Sequence, residues 1–170
     1  MKKYRLTEET TKVGNRPLYR IQALRDFGNV KEGDIGGYIE SEKNLSQDGD
    51  AWVYGDAWVS GNALVYGDAW VSGNALVYGD ACVYGDARVY GNADIKTTGD
   101  ICSMSGFGSE YRTTTAFRTK NGDVHVSCGC FQGNLEAFCQ RVESTHGNNL
   151  YGREYKKMIE MLKIHFEVEP

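Results

Sequence analysis

Between Asp50 and Ile101 the chain repeats itself every six residues. Ala51-Trp-Val-Tyr-Gly-Asp56 is followed by Ala57-Trp-Val-Ser-Gly-Asn62 and Ala63-Leu-Val-Tyr-Gly-Asp68, and the frame continues through Ala69, Ala75, Ala81, Ala87 and Ala93, with Gly99 in the alanine slot before Ile101. A unit this short cannot bury its own apolar side, so it must stack on copies of itself. In an extended segment alternate side chains point to opposite faces, which puts Ala51 with Val53 and Trp52 with Tyr54. The Ala/Val side is the uniform one, as a tightly packed interior requires. Gly followed by Asp or Asn is corner chemistry, because Gly takes positive φ without steric cost and Asx side chains bond to nearby backbone.

Very short strands joined by regular corners wind into a β-solenoid. The order small–variable–aliphatic resembles the hexapeptide-repeat, left-handed parallel β-helix family, in which three hexads make one triangular coil. Positions eighteen apart would then stack at about 4.8 Å. That predicts three inner ladders: Val53/Val71/Val89, Val59/Val77/Ile95 and Val65/Val83/Ile101. The outward slots run Trp52, Trp70 and Arg88 on one side, Trp58, Leu76 and Asp94 on the second, and Leu64, Cys82 and Asp100 on the third. Contiguous exposed aromatics mark interfaces, so Trp52, Tyr54, Trp58 and Trp70 are expected to join copies into a dimer or trimer. The competing expectation is that the flanking segments fold back over them.

With 170 residues, a formal net charge of −4 and a pI near 5.4, the chain is a poor general binder of nucleic acid or membrane surfaces. No apolar run approaches a transmembrane length, and the amino terminus lacks a signal-peptide core. An odd set of five cysteines fits a reducing compartment. A cytoplasmic location in a bacterial host is therefore expected.

The chain divides into residues 1–49, an N-terminal strand and capping coil; 50–101, the repeats; and 102–170, a small C-terminal α+β module. Tyr19–Leu24 alternates as a strand, and Gly33–Asp50 reads as an irregular first coil with Ile35 eighteen before Val53. In the C-terminal module Tyr111–Thr119 and Val124–Cys130 read as two strands joined at Asn121-Gly122. Two helices follow, one capped by Asn134 and ended at His146-Gly147, the other over about Leu150–His165. On the outward sheet face Arg112, Thr114 and Arg118 would be joined by His125 and Ser127 of the partner strand, with His146 nearby. Guanidiniums, hydroxyls and an imidazole suit phosphate or carboxylate. The competing expectation is a solvated sheet face paired with acids such as Glu110. Cys128, Cys130, Cys139 and His146 could supply a zinc set, but Cys-x-Cys spacing is poor for it, and neither metal nor cofactor is expected.

The block Tyr19–Phe27, then Gly33–Ser46, then the hexads, together with Thr113–Phe117, Val126–Phe131 and Thr145–Gly147, is similar to a family of phage and prophage accessory proteins usually labelled only hexapeptide-repeat or polymer-forming. The donor-rich face, taken together with that resemblance, leads to the expectation of a non-catalytic protein that oligomerises and sequesters a small anionic, nucleotide-like ligand such as a host-defence signal. A structural or host-protein-binding solenoid is the alternative. Acyltransferase activity, common among hexapeptide-repeat proteins, is a second alternative. It lacks the usual base, because no histidine lies in the repeats and no loop interrupts them.

Overall fold

The computed structural model describes residues 1–168 as a β-helix of about three coils, closed at one end by an N-terminal hairpin and at the other by an α+β module. Each hexad contributes a two-residue strand: β4 (Trp52–Val53), β5 (Trp58–Val59), β6 (Leu64–Val65), β7 (Trp70–Val71), β8 (Leu76–Val77), β9 (Cys82–Val83), β10 (Arg88–Val89) and β11 (Asp94–Ile95). Strands eighteen residues apart pair in parallel: β4 with β7 and β7 with β10, β5 with β8 and β8 with β11, and β6 with β9. Every alanine and every inner aliphatic from Ala51 to Ile95 is buried. The corner glycines from Gly55 to Gly91 all carry φ between 61 and 71°, where a Cβ is strained. The interior is thus the expected prism of Ala and Val.

Two ladders are as the period predicts; the third is not. Ile101 does not extend Val65/Val83, which is continued at its other end by Leu45, bridged to Val65. A 3-10 turn at Thr98–Asp100 redirects the chain. Asp100 Oδ2 accepts the Lys96 and Thr97 amides and the Thr97 hydroxyl, and Ile101 then pairs with Phe117.

The first coil also departs from the strict spacing. Ile39 stacks on Val59 and Leu45 on Val65, an offset of twenty and not eighteen. Ile35 pairs with Gln22 and is exposed, so it is not the partner of Val53. The two surplus residues are taken up at the Ser46–Asp50 corner, after which the Trp52 amide bonds Ala69 O in the register that the later coils keep. Gln47 holds this corner by accepting the Lys3 and Tyr4 amides.

The N-terminal cap contains one strand more than the alternation shows. β1 (Tyr4–Val13) pairs antiparallel with β2 (Arg16–Ala23), and β2 with β3 (Ile35–Ile39), which lies parallel to β5. β3 can approach the solenoid closely only because of Gly36 and Gly37. A Cβ at Gly36 would sit 2.6 Å from the Trp52 ring, and one at Gly37 would sit 2.5 Å from Ala57 O. This cap overturns one interface expectation. Trp52 points outward from the coil yet has no exposed surface, being packed edge-on by Tyr4 and Phe27 at ring distances of 6.3 and 5.3 Å. For this residue the fold-back alternative holds.

Beneath the cap Lys3 is fully buried, its ammonium donating to the carbonyls of Ala51 and Gly49 and lying 5.1 Å from the Phe27 ring centre. Burial, with Arg25 next in weight, pulls its pKa down to about 8 from 10.5. The folded chain therefore loses this proton near pH 8 while the unfolded chain keeps it to about 10.5. Between those values the unfolded state binds more protons, so stability rises with pH. Urea titrations should show a gain of about 1–2 kcal/mol from pH 8 to 10 in the native chain. In Lys3→Met that gain should be absent; parallel profiles would refute the assignment.

The C-terminal module has four strands where two are expected. β12 (Ile101–Phe107), β13 (Arg112–Arg118), β14 (Val124–Cys128) and β15 (Phe131–Asn134) form an antiparallel meander, followed by α1 (Leu135–His146) and α2 (Leu150–His165). The Asn134 side chain accepts the Ala137 amide at 2.8 Å, and Asn149 caps α2 likewise through Gly152. One sheet face, with Ala116, Val124 and Val126, packs on Leu135, Phe138, Met158 and Leu162. The other closes the solenoid: Phe117 joins the prism core, Tyr90 donates to Val126 O, and Ala93 bridges Thr119. Among the described residues no helix is long and apolar enough to cross a membrane.

Candidate functional site

Five of the six expected ligand residues lie on the sheet, and the structure divides them between its two faces; His146 ends α1. Thr114 lies opposite Cys128, Ala116 opposite Val126 and Arg118 opposite Val124, while Thr115 faces Ser127 and Phe117 faces His125. Opposed residues share a face. Arg112, Thr114 and Arg118 are thus on the helix side, and His125 and Ser127 on the solenoid side. The cause is the hairpin loop. It spans Lys120-Asn121-Gly122 between Thr119 and Asp123, whose backbones bond at 2.9 Å, and not Asn121-Gly122 alone. A change of one residue in register inverts every side chain.

Most of these groups are already engaged. Thr114 and Ser127 are buried, and the Thr114 hydroxyl donates to Cys128 Sγ. Arg118 Nη2 donates to Phe166 O at 2.9 Å, and its Nε lies 3.6 Å from Asp100. Arg118 thus ties the end of α2 to the turn after the solenoid. His125 sits half-buried between Tyr90 and Phe117.

Arg112 and His146, far apart in sequence, are brought to one cleft of about 220 Å³ between the β12–β13 turn and α1. Its polar lining includes Glu110, Arg112, Cys128, Arg141, His146 and Tyr155. The Arg112 side chain passes over Gly129, where a Cβ would stand 2.5 Å from Nη1. Its Nη2 lies 3.7 Å from Glu110, and both side chains are more than half exposed, a weak pairing. The His146 ring stacks on Tyr155 at 5.5 Å. Burial, then the contact with Cys128, pushes the Tyr155 phenol up to about 12, so it keeps its proton as a donor. Arg141 is the residue that sequence reasoning missed. Its position one turn after Phe138 and one before Thr145 was the available signal. Among the described residues no ion pair uses its guanidinium. The arrangement offers donors to an anion. The cysteines are free, and no three His, Cys, Asp or Glu groups among the described residues come together to hold a metal.

Fold and repeat together define a hexapeptide-repeat-like β-helix protein. The family model described as the YdcK beta solenoid repeat matches residues 57–73 and 69–85. In an alignment of 77 residues that takes in 36% of this chain, the sequence is 38% identical to a protein of Escherichia coli (strain K12) named uncharacterized acetyltransferase YdcK. That match takes in 24% of the relative's length.

Proposed function

We propose that this is a non-catalytic binding protein that holds a small anionic ligand in the cleft between the β12–β13 turn and α1. The observation that carries the reading is the convergence of Arg112, Arg141 and His146 on one concavity, with the protonated Tyr155 phenol beside them. Charge-assisted bonds to two guanidiniums are the strongest the site can make to phosphate or carboxylate. The similarity to phage and prophage accessory proteins makes a nucleotide-like host-defence signal the ligand class to test first.

Pyrophosphate is a suitable probe. At a hundredfold excess over Kd, binding to the folded state alone stabilises by about 2.7 kcal/mol, several degrees in Tm for a chain of this size. The Arg112→Ala/Arg141→Ala double variant should keep the ligand-free Tm, since both side chains are exposed, and should lose the shift. An unchanged shift would remove this cleft from consideration. Native mass spectrometry of the same samples reports any association of copies, for which Tyr54, Trp58 and Trp70 remain accessible while Trp52 is covered.

An acyltransferase is the second reading, favoured by the relative's name. The matched repeats, residues 57–85, contain no histidine, so they lack the usual base for thiol-ester transfer. Steady release of free thiol from acetyl-CoA by the native chain, with matching acetylation of an added amine or hydroxyl acceptor, would favour the transferase over the binder.

A further inference from the structure

A second concavity lies where the loop before β3 meets the first solenoid face. It has a volume of about 350 Å³ and is lined by Asn29, Asp34, Tyr54, Trp70 and Arg88, with Trp52 and Val30 at its base. Small-molecule sites span roughly 300–1,000 Å³. Its floor is the outward ladder of the first face, where Trp70 pairs in register between Trp52 and Arg88. Adjacent rungs of such a ladder are about 4.8 Å apart. That places a half-buried indole directly beside an exposed guanidinium. Tyr54, 51% exposed, flanks the indole at a ring distance of 6.3 Å, tilted by 37°.

The wall is a loop fixed before any ligand arrives. Phe27 and Val30 exchange backbone hydrogen bonds at 3.0 and 2.8 Å, Asp26 accepts the Glu32 amide, and Asp34 Oδ2 accepts the Lys31 amide. Asp34 Oδ1, the Asn29 amide, the Trp70 indole N–H and the Arg88 guanidinium have no hydrogen-bond partner among the described residues. An apolar aromatic floor, a few convergent unpaired polar groups and a rigid rim are the features of a preorganised ligand site.

We propose that this cleft binds a planar heteroaromatic ligand carrying an anionic group, of the mononucleotide class. The ring stacks on Trp70 with Tyr54 at its edge. Asp34 accepts from a ring or exocyclic N–H, Asn29 serves the remaining ring edge, and Arg88 takes the anion. Stacking of a base on an aromatic side chain is sequence-tolerant and worth about 1–3 kcal/mol, and the guanidinium supplies a bidentate, charge-assisted contact. This assignment gives Tyr54 and Trp70 a ligand in place of a second copy of the chain. It uses no residue of the Arg112 cleft, so the two sites fail or stand separately.

The test is calorimetric titration of the full chain with AMP, GMP, CMP and UMP, and with adenosine, guanosine and inorganic phosphate as controls. At least one nucleotide should bind, at least tenfold more tightly than its nucleoside or phosphate alone. Arg88→Ala, at an exposed position, should weaken that nucleotide at least tenfold and leave the nucleoside unchanged. Trp70→Leu, which keeps apolar bulk against the core, should weaken both. The same losses should appear in an Arg112→Ala/Arg141→Ala background, in which the other cleft contributes no heat. No heat from any of the four nucleotides would overturn the proposal. So would binding that, in that background, survives Arg88→Ala and Trp70→Leu in folded protein, or that is already absent there before either change.

Discussion

Trp52→Ala is expected to cost about 3–5 kcal/mol of stability, the range for deleting a fully buried tryptophan, although this residue occupies an outward slot of the repeat. Its indole meets the solenoid on one side and Tyr4, Phe27 and the Gly36 backbone on the other. Truncation would therefore leave a void at the joint between cap and coil. The effect should appear in urea unfolding, and amide exchange should quicken first in β1 and β2, whose docking the indole mediates. Trp58→Ala is the control. Trp58 is half-buried, with Tyr78 as its one ring neighbour among the described residues, and should cost about 1–2 kcal/mol. Equal losses at the two positions would mean that the cap is held by something else.

Val71→Asp should abolish cooperative folding. Val71 is the middle rung of the Val53/Val71/Val89 ladder and has no exposed surface. A carboxylate there has no donor to meet it, and an unpaired buried charge is among the few changes that exceed 4–5 kcal/mol. The same substitution at Leu64, which points outward and is half-buried, should cost about 1 kcal/mol. Circular dichroism and size-exclusion profiles of the two variants would show one collapsed and one native-like. A folded Val71→Asp chain would contradict the prism interior.

The prism was legible because its information is local and repeated. Each hexad states its inner residue, its outer residue and its corner, and stacking adds nothing that contradicts them. What lay outside the period was harder to read. The strand β1 is charged and largely exposed, so it carries no alternation to read. The two surplus residues of the first coil are visible only once Ile39 is seen on Val59. Trp52 and Trp70 occupy equivalent slots in nearly identical hexads, yet one is sealed and the other borders a cleft. The difference lies in which coil the N-terminal hairpin reaches, and no residue within the repeat encodes it. At the candidate site, one extra loop residue separated His125 and Ser127 from Arg112. The helix face, read only for its apolar positions, hid Arg141.

Both caps are keyed to particular sides of the prism. β3 extends the side that carries Trp58, while the C-terminal module anchors at Tyr90 and Ala93. Inserting eighteen residues would lengthen the body by one full storey and keep the two caps in their present orientation. Inserting six or twelve would swing one cap by a third of a revolution and aim it at the wrong wall. Relatives built on this plan should therefore differ in height by whole storeys, like a ruler graduated only in complete marks.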